Sequence, residues 1–141
     1  MSNNYKSIQG NLGLSKAIDF FVSNEDTVSI PLKDTQSYDL VADIKGKLYR
    51  VQVKTCTYIN GGGYLVGLKS AGGNSYYSNK GSNYRIKNFD NSRSDLLFIY
   101  TGDNRMYLIP TNEIESKSSI TVGNEKTEKY EVYCKKLSDY T

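Results

Sequence analysis

The sequence predicts an α/β domain in which one N-terminal helix packs on a mixed, mostly antiparallel β-sheet. Three observations carry this reading. Leu14, Ala17, Ile18, Phe21 and Val22 recur at helical spacing between Gln9 and Ser23 and form one apolar stripe. Tyr38–Asp43 and Leu48–Thr55 alternate apolar and polar residues about Lys45-Gly46, a pair that suits the positive φ angles of a tight hairpin turn. Asp95–Tyr100 and Met106–Ile109 form a second, more apolar hairpin about Gly102-Asp103-Asn104 and supply the core strands.

The remaining elements follow in order. Gly10 and Gly13 near the helix start permit close backbone approach or mark an irregular entry turn, and Gln9 beside them reads as solvated, the alternative being a polar group supplied to the site. Thr27–Leu32 reads as a strand, with Pro31 marking an edge because it cannot donate to a ladder. Residues 33–37 form a polar loop that delivers the chain to Asp39. After Cys56 the chain turns at Asn60-Gly61-Gly62-Gly63, and Tyr64–Lys69 returns as a third strand of the sheet. A short helix is expected at Pro110–Ile114, and short strands at Ser118–Val122 and Tyr130–Tyr133.

At 141 residues the chain suits a single domain, 1–141, with its own core. Its 38% apolar content supports folding, and no apolar run is long enough to span a bilayer. Residues 1–8 lack the basic-then-apolar pattern of a signal peptide, so a cytoplasmic location is expected. Cys56 and Cys134 stand apart and read as free thiols. Histidine is absent. That excludes Ser-His-Asp and Cys-His catalysis and histidine-based zinc sites, so hydrolytic chemistry here must come from carboxylate, metal and lysine.

Net charge is only +3, but it is unevenly placed. Lys69, Lys80, Arg85, Lys87 and Arg93 face a single acid, Asp90, in one stretch, whereas the rest of the chain is close to neutral. The segment at about 70–93 is also rich in Gly, Ser, Asn and Tyr, Asn74 included. Its composition fits a surface that contacts DNA phosphates and base edges, the alternative being a plain surface loop.

Folding the first hairpin about Lys45-Gly46 sets Leu40 opposite Val51, Ala42 opposite Tyr49 and Asp39 opposite Gln52. Side chains alternate faces, so Gln52 and Lys54 project together while Val51 and Val53 point into an apolar layer. Asp39, Gln52 and Lys54 thus converge. Taken singly, Asp39 is a strand-start acid and Lys54 a solvated lysine; the shared register is what joins them. A carboxylate and a second oxygen donor suit a hard cation, with the Val53 backbone carbonyl as a further ligand, and an ammonium two residues on can orient or activate water. This is the chemistry of a metal-dependent phosphodiesterase.

The spaced runs Gly10-Asn11-Leu12-Gly13-Leu14-Ser15-Lys16-Ala17-Ile18, Val28-Ser29-Ile30-Pro31-Leu32, Tyr38-Asp39-Leu40-Val41, Leu48-Tyr49-Arg50-Val51-Gln52-Val53-Lys54-Thr55 and Asp95-Leu96-Leu97-Phe98 resemble the group I intron-associated PD-(D/E)xK homing endonucleases, from Gly10 to about Pro110. The resemblance implies a PD-(D/E)xK nuclease-like fold and a site-specific, Mg2+-dependent endonuclease acting on double-stranded DNA as a homo-oligomer, dimer or tetramer. It places Asp39, Gln52 and Lys54 in the catalytic motif, with Gln52 in the usual acidic position. It also implies a helix Glu as a further metal ligand, where this chain has Leu14, a residue of the apolar stripe. A catalytically inactive DNA-binding protein on the same fold and a restriction or repair nuclease are the competing readings.

Overall fold

A computed structural model describes residues 4–33, 35–71 and 86–140. Helix α1 (Asn4–Ser23) is followed by β1 (Thr27–Ser29), β2 (Leu40–Ile44), β3 (Lys47–Cys56), β4 (Tyr64–Gly67), β5 (Ser70–Ala71) and β6 (Ile86–Lys87). Then come β7 (Leu96–Thr101), β8 (Met106–Pro110), β9 (Ser119–Val122) and β10 (Glu131–Val132), with short 3-10 turns at Thr111–Glu113, Glu128–Tyr130 and Leu137–Tyr140. The main sheet has the order β1-β2-β3-β7-β8-β10, parallel only between β3 and β7. The α/β class and the mostly antiparallel sheet are as the sequence predicts.

Lys45 (φ 53°) and Gly46 (φ 87°) both take the left-handed conformation that a two-residue hairpin requires, and Asp43 Oδ1 accepts the Gly46 N–H at 2.9 Å. The resulting register pairs Leu40 with Val51 and Ala42 with Tyr49, as expected. Strands β3 and β7 lie mid-sheet, covered on both faces. On one face α1 packs through Ala17 and Phe21 onto Leu40, Val51 and Phe98. On the other, Leu97, Ile99 and Ile109 pack beneath Val66 and Val122 of the separate β4–β9 ribbon. Double coverage explains why Leu96–Ile99 is apolar without alternation and buried throughout, the usual pattern of a strand in a parallel pairing.

The parallel register is held by one clamp. Asp95 accepts hydrogen bonds from the Arg50 N–H (2.8 Å), Nε (3.1 Å) and Nη2 (3.2 Å), and its own N–H donates to Arg50 O (2.8 Å). The bonds from Arg50 hold the Asp95 carboxyl below its usual range.

Three elements differ from expectation. Helix α1 runs from Asn4, but Tyr5, Ile8 and Leu12 are exposed there and extend no buried stripe, and Val22, expected in the stripe, is exposed as well. Strand β1 stops at Ser29, since Ile30 and Leu32 are exposed and Pro31 has no N–H to offer. Strand β4 leaves the main sheet for β9, because β7 already occupies the free side of β3.

Gly13 sits where α1 crosses β3, and a Cβ there would overlap the Thr55 hydroxyl. In a free helix Gly→Ala stabilises by about 1 kcal/mol. Here Gly13→Ala is expected to destabilise by about 1–3 kcal/mol, as overpacking does, read by denaturant unfolding. Asp95→Asn supplies a second check. A carboxyl depressed on folding adds stability above its unfolded pKa, and that stability is lost as pH falls through the folded value. The variant should therefore be less stable than wild type at pH 7, and the gap should narrow on acidification.

Candidate active site

Strand β2 begins at Leu40, and the residue before it extends the pairing by other means. The Asp39 N–H donates to Val51 O at 2.8 Å, and Asp39 Oδ2 accepts the Val53 N–H at 2.7 Å. A side chain thus completes the ladder where the backbone of β2 has turned away. Because a strand residue directs its N–H and C=O to the same side, the Val53 carbonyl faces the same gap as the Asp39 carboxylate.

Gln52 and Lys54 are half-buried and lie on the β3 face that carries Cys56, in register with Leu97 and Ile99. Burial pushes the Lys54 ammonium below its ordinary pKa of 10.5, and the Asp39 charge opposes that shift. Both effects follow from the half-burial of Lys54 and its nearness to Asp39.

Asp39 itself is exposed and stands on a ridge between two clefts. The first, about 450 Å³, is bounded by Gln52, Leu68, Phe89, Asp90 and Arg93. Backbone bonds from Leu68 to Ser118 O and from Phe89 to Lys117 O, both 2.8 Å, fix its floor. Arg93 is held at its rim by the Asp90 carboxylate (3.5 Å) and by the Ser37 hydroxyl, which donates to Arg93 O (3.1 Å). The second cleft, about 380 Å³, lies between Lys54 and the first turns of α1, with Lys6, Gln9 and Leu14 on the helix side.

Asp39, Gln52, Val53 and Lys54 are therefore brought together, and Arg93 joins them. Lys69 is exposed between β4 and β5. Lys87 lies on β6 in register with Ser70. Asn74, Lys80 and Arg85 lie outside the described residues. Leu14 is half-buried: it packs on the helix-side core, as its stripe predicts, and also edges the second cleft. Sequence reasoning read Gln9 as solvated, whereas it is half-buried on the cleft wall; it did not find Lys6 or Thr55. The one available signal was helical spacing, since Lys6, Gln9 and Gly13 share the face that meets β3. Among the described residues no three carboxylate, cysteine or histidine side chains cluster as a metal site, and no helix is long and apolar enough to cross a membrane.

A helix packed on a mixed sheet, with an acid at one strand's start facing a Gln-x-Lys triplet on the next, defines the nuclease class to which the motif belongs. The sequence profile described as PD-(D/E)XK endonuclease matches residues 4–140, and the chain belongs to that family. Its fold is similar to that of a bacterial homing endonuclease, I-Ssp6803I, at 24% identity and a TM-score of 0.70, covering 96% of this chain and 87% of that one. Among curated protein sequences none matches the chain significantly.

The dry setting of Lys54 has a thermodynamic consequence. A lysine pKa lowered on folding means that the unfolded chain binds more protons between the two values, so stability rises with pH across that window. Lys54→Met, close in shape and uncharged, is expected to raise the melting temperature by a few degrees at pH 7. Its advantage over wild type should shrink as pH climbs toward 10, measured by thermal unfolding across that range.

Proposed function

We propose that the protein is a divalent-metal-dependent DNA endonuclease, site-specific and of the homing type, that uses Mg2+ to hydrolyse phosphodiester bonds of double-stranded DNA. The observation that carries this reading is the convergence of the Asp39 carboxylate, the Val53 carbonyl, Gln52 and a desolvated Lys54 at one open gap in the sheet. The donor set fits a hard cation. Asp39 spends Oδ2 on the Val53 N–H and keeps Oδ1 for a metal, and the Gln52 amide and Val53 carbonyl add neutral oxygens. The chemistry that Mg2+ supplies when bound is polarisation of a phosphoryl oxygen and a more acidic water.

In this reading Lys54 Nζ orients the attacking water, and in its neutral form accepts the water's proton. Its lowered pKa makes that form more accessible near neutral pH, which is what a general base needs. Asp39 holds the cation and raises the Lys54 pKa, so one carboxylate sets both charges of the site. Arg93 binds phosphate on the Gln52 side, and Lys69, Asn74, Lys80, Arg85 and Lys87 of the basic stretch supply further backbone contacts. Cutting both strands of a duplex calls for at least two copies, so the enzyme works as a homo-oligomer, a dimer or tetramer, in the cytoplasm.

A second reading is a DNA-binding protein on the same fold that no longer cleaves. Among the described residues Asp39 is the single carboxylate bordering the Lys54 cleft, where Leu14 stands on the helix side, and this favours weak metal binding.

Incubation with supercoiled plasmid, with Mg2+ or with a chelator, decides between the two. Cleavage only with Mg2+, reduced roughly 10²–10⁴-fold in Lys54→Ala while DNA binding persists, is expected of the enzyme. Asp39→Asn should abolish cleavage, with partial recovery at raised Mg2+. Tight DNA binding by a wild type that cuts no DNA tested would establish the second reading.

A further inference from the structure

We infer that the first turns of α1 form a phosphate-binding wall of the cleft, in which Lys6, with Gln9, holds the backbone phosphate next to the one that Asp39 and Lys54 address. The inference rests on the nuclease reading for the identity of the strand bound, and on separate observations for the seat itself.

The wall is placed by packing. Gly13 lets α1 touch β3 at Thr55, and the Thr55 hydroxyl donates to Gln9 O at 3.1 Å. Two contacts a helical turn apart thus tie α1 to the residue that follows Lys54. The same helix face carries Gln9 and Lys6 onward, roughly 10 Å along the axis from Gly13. There the cleft opens between helix and sheet, with Lys6 and Gln9 across from Asp39 and Lys54.

The two lysines of this cleft differ in setting. Lys54 is half-buried on β3, beside the strand gap that Asp39 borders. Lys6 is exposed, and a solvated ammonium on a flexible stem is a phosphate partner that needs no desolvation beyond the contact itself. Across the Asp39 ridge stands Arg93, in the cleft that holds Gln52. A cation therefore flanks Asp39 on each side, so a strand laid over the ridge meets Arg93 before it and Lys6 after it.

The test uses the full chain and a fluorescein-labelled duplex of mixed sequence, with a chelator present so that no cleavage intervenes. Binding is followed by anisotropy across a salt series. Lys6→Gln should reduce the slope of log affinity against log salt by about 0.9, the loss of one phosphate contact. Lys6→Arg should retain the slope, and Lys129→Gln, whose side chain lies over the Tyr130 ring, should leave it unchanged. With Mg2+, Lys6→Gln should raise KM while kcat stays near wild type. An unaltered slope in Lys6→Gln, with DNA still bound, overturns the inference and leaves the nuclease reading standing. A reduced slope in a protein that never cleaves supports the phosphate seat and overturns the nuclease reading. Absence of any DNA binding by wild type overturns both.

Discussion

The hydrogen bond from the Val53 N–H to Asp39 Oδ2, at 2.7 Å, is the contact on which the candidate site depends. In a continuous hairpin the next residue of β2 would have met β3 through its backbone. Here a carboxylate takes that place, so β3 keeps a partner at its N–H while its carbonyl at the same residue faces a gap. The result is an anion and a carbonyl oxygen held at one opening in the sheet. Both clefts exist because β2 ends there, and Asp39 is the ridge between them.

Strand β3 carries this opening because it is otherwise fully engaged. One side is pinned to β2 by the left-handed Lys45-Gly46 turn and the other to β7 by the Arg50–Asp95 clamp. Its two faces lie under α1 and under the β4–β9 ribbon. A side chain leaving such a strand emerges between packed layers, and that is how Lys54 comes to be desolvated while still bordering a cleft. The same burial that lowers its pKa costs folding stability, an exchange common where a fold builds a reactive group.

Helix α1 has two roles along its length. From Gly13 onward it is a core element, with Ala17 and Phe21 fully buried. Before Gly13 its apolar side chains Tyr5, Ile8 and Leu12 are exposed, and Lys6 and Gln9 give it a polar wall on the cleft side. Leu14 stands at the change, packed on the core and bordering the cleft, so a carboxylate at that position would have to give up apolar contact to reach the gap.

Much of this was legible in the sequence. The hairpin register follows from the period-two alternation and from a turn pair that tolerates positive φ, both local properties, and it places Asp39 against Gln52 and Lys54 on one face. The helix stripe and the apolar run Leu96–Phe98 are equally local. Tertiary structure decided what local pattern cannot encode. Whether Tyr64–Gly67 joins the main sheet depends on which strand takes the free side of β3, and β7, clamped by Asp95, holds it from more than 40 residues away. Gln9 and Lys6 carry no signal beyond sharing a helix face with Gly13, since they become a wall only because Gly13 and Thr55 set the helix against β3. The depressed pKa of Lys54 likewise belongs to the layers packed around it. Alternation and turn chemistry act between neighbours in the chain, whereas clefts and desolvation arise between elements that the chain brings together only on folding.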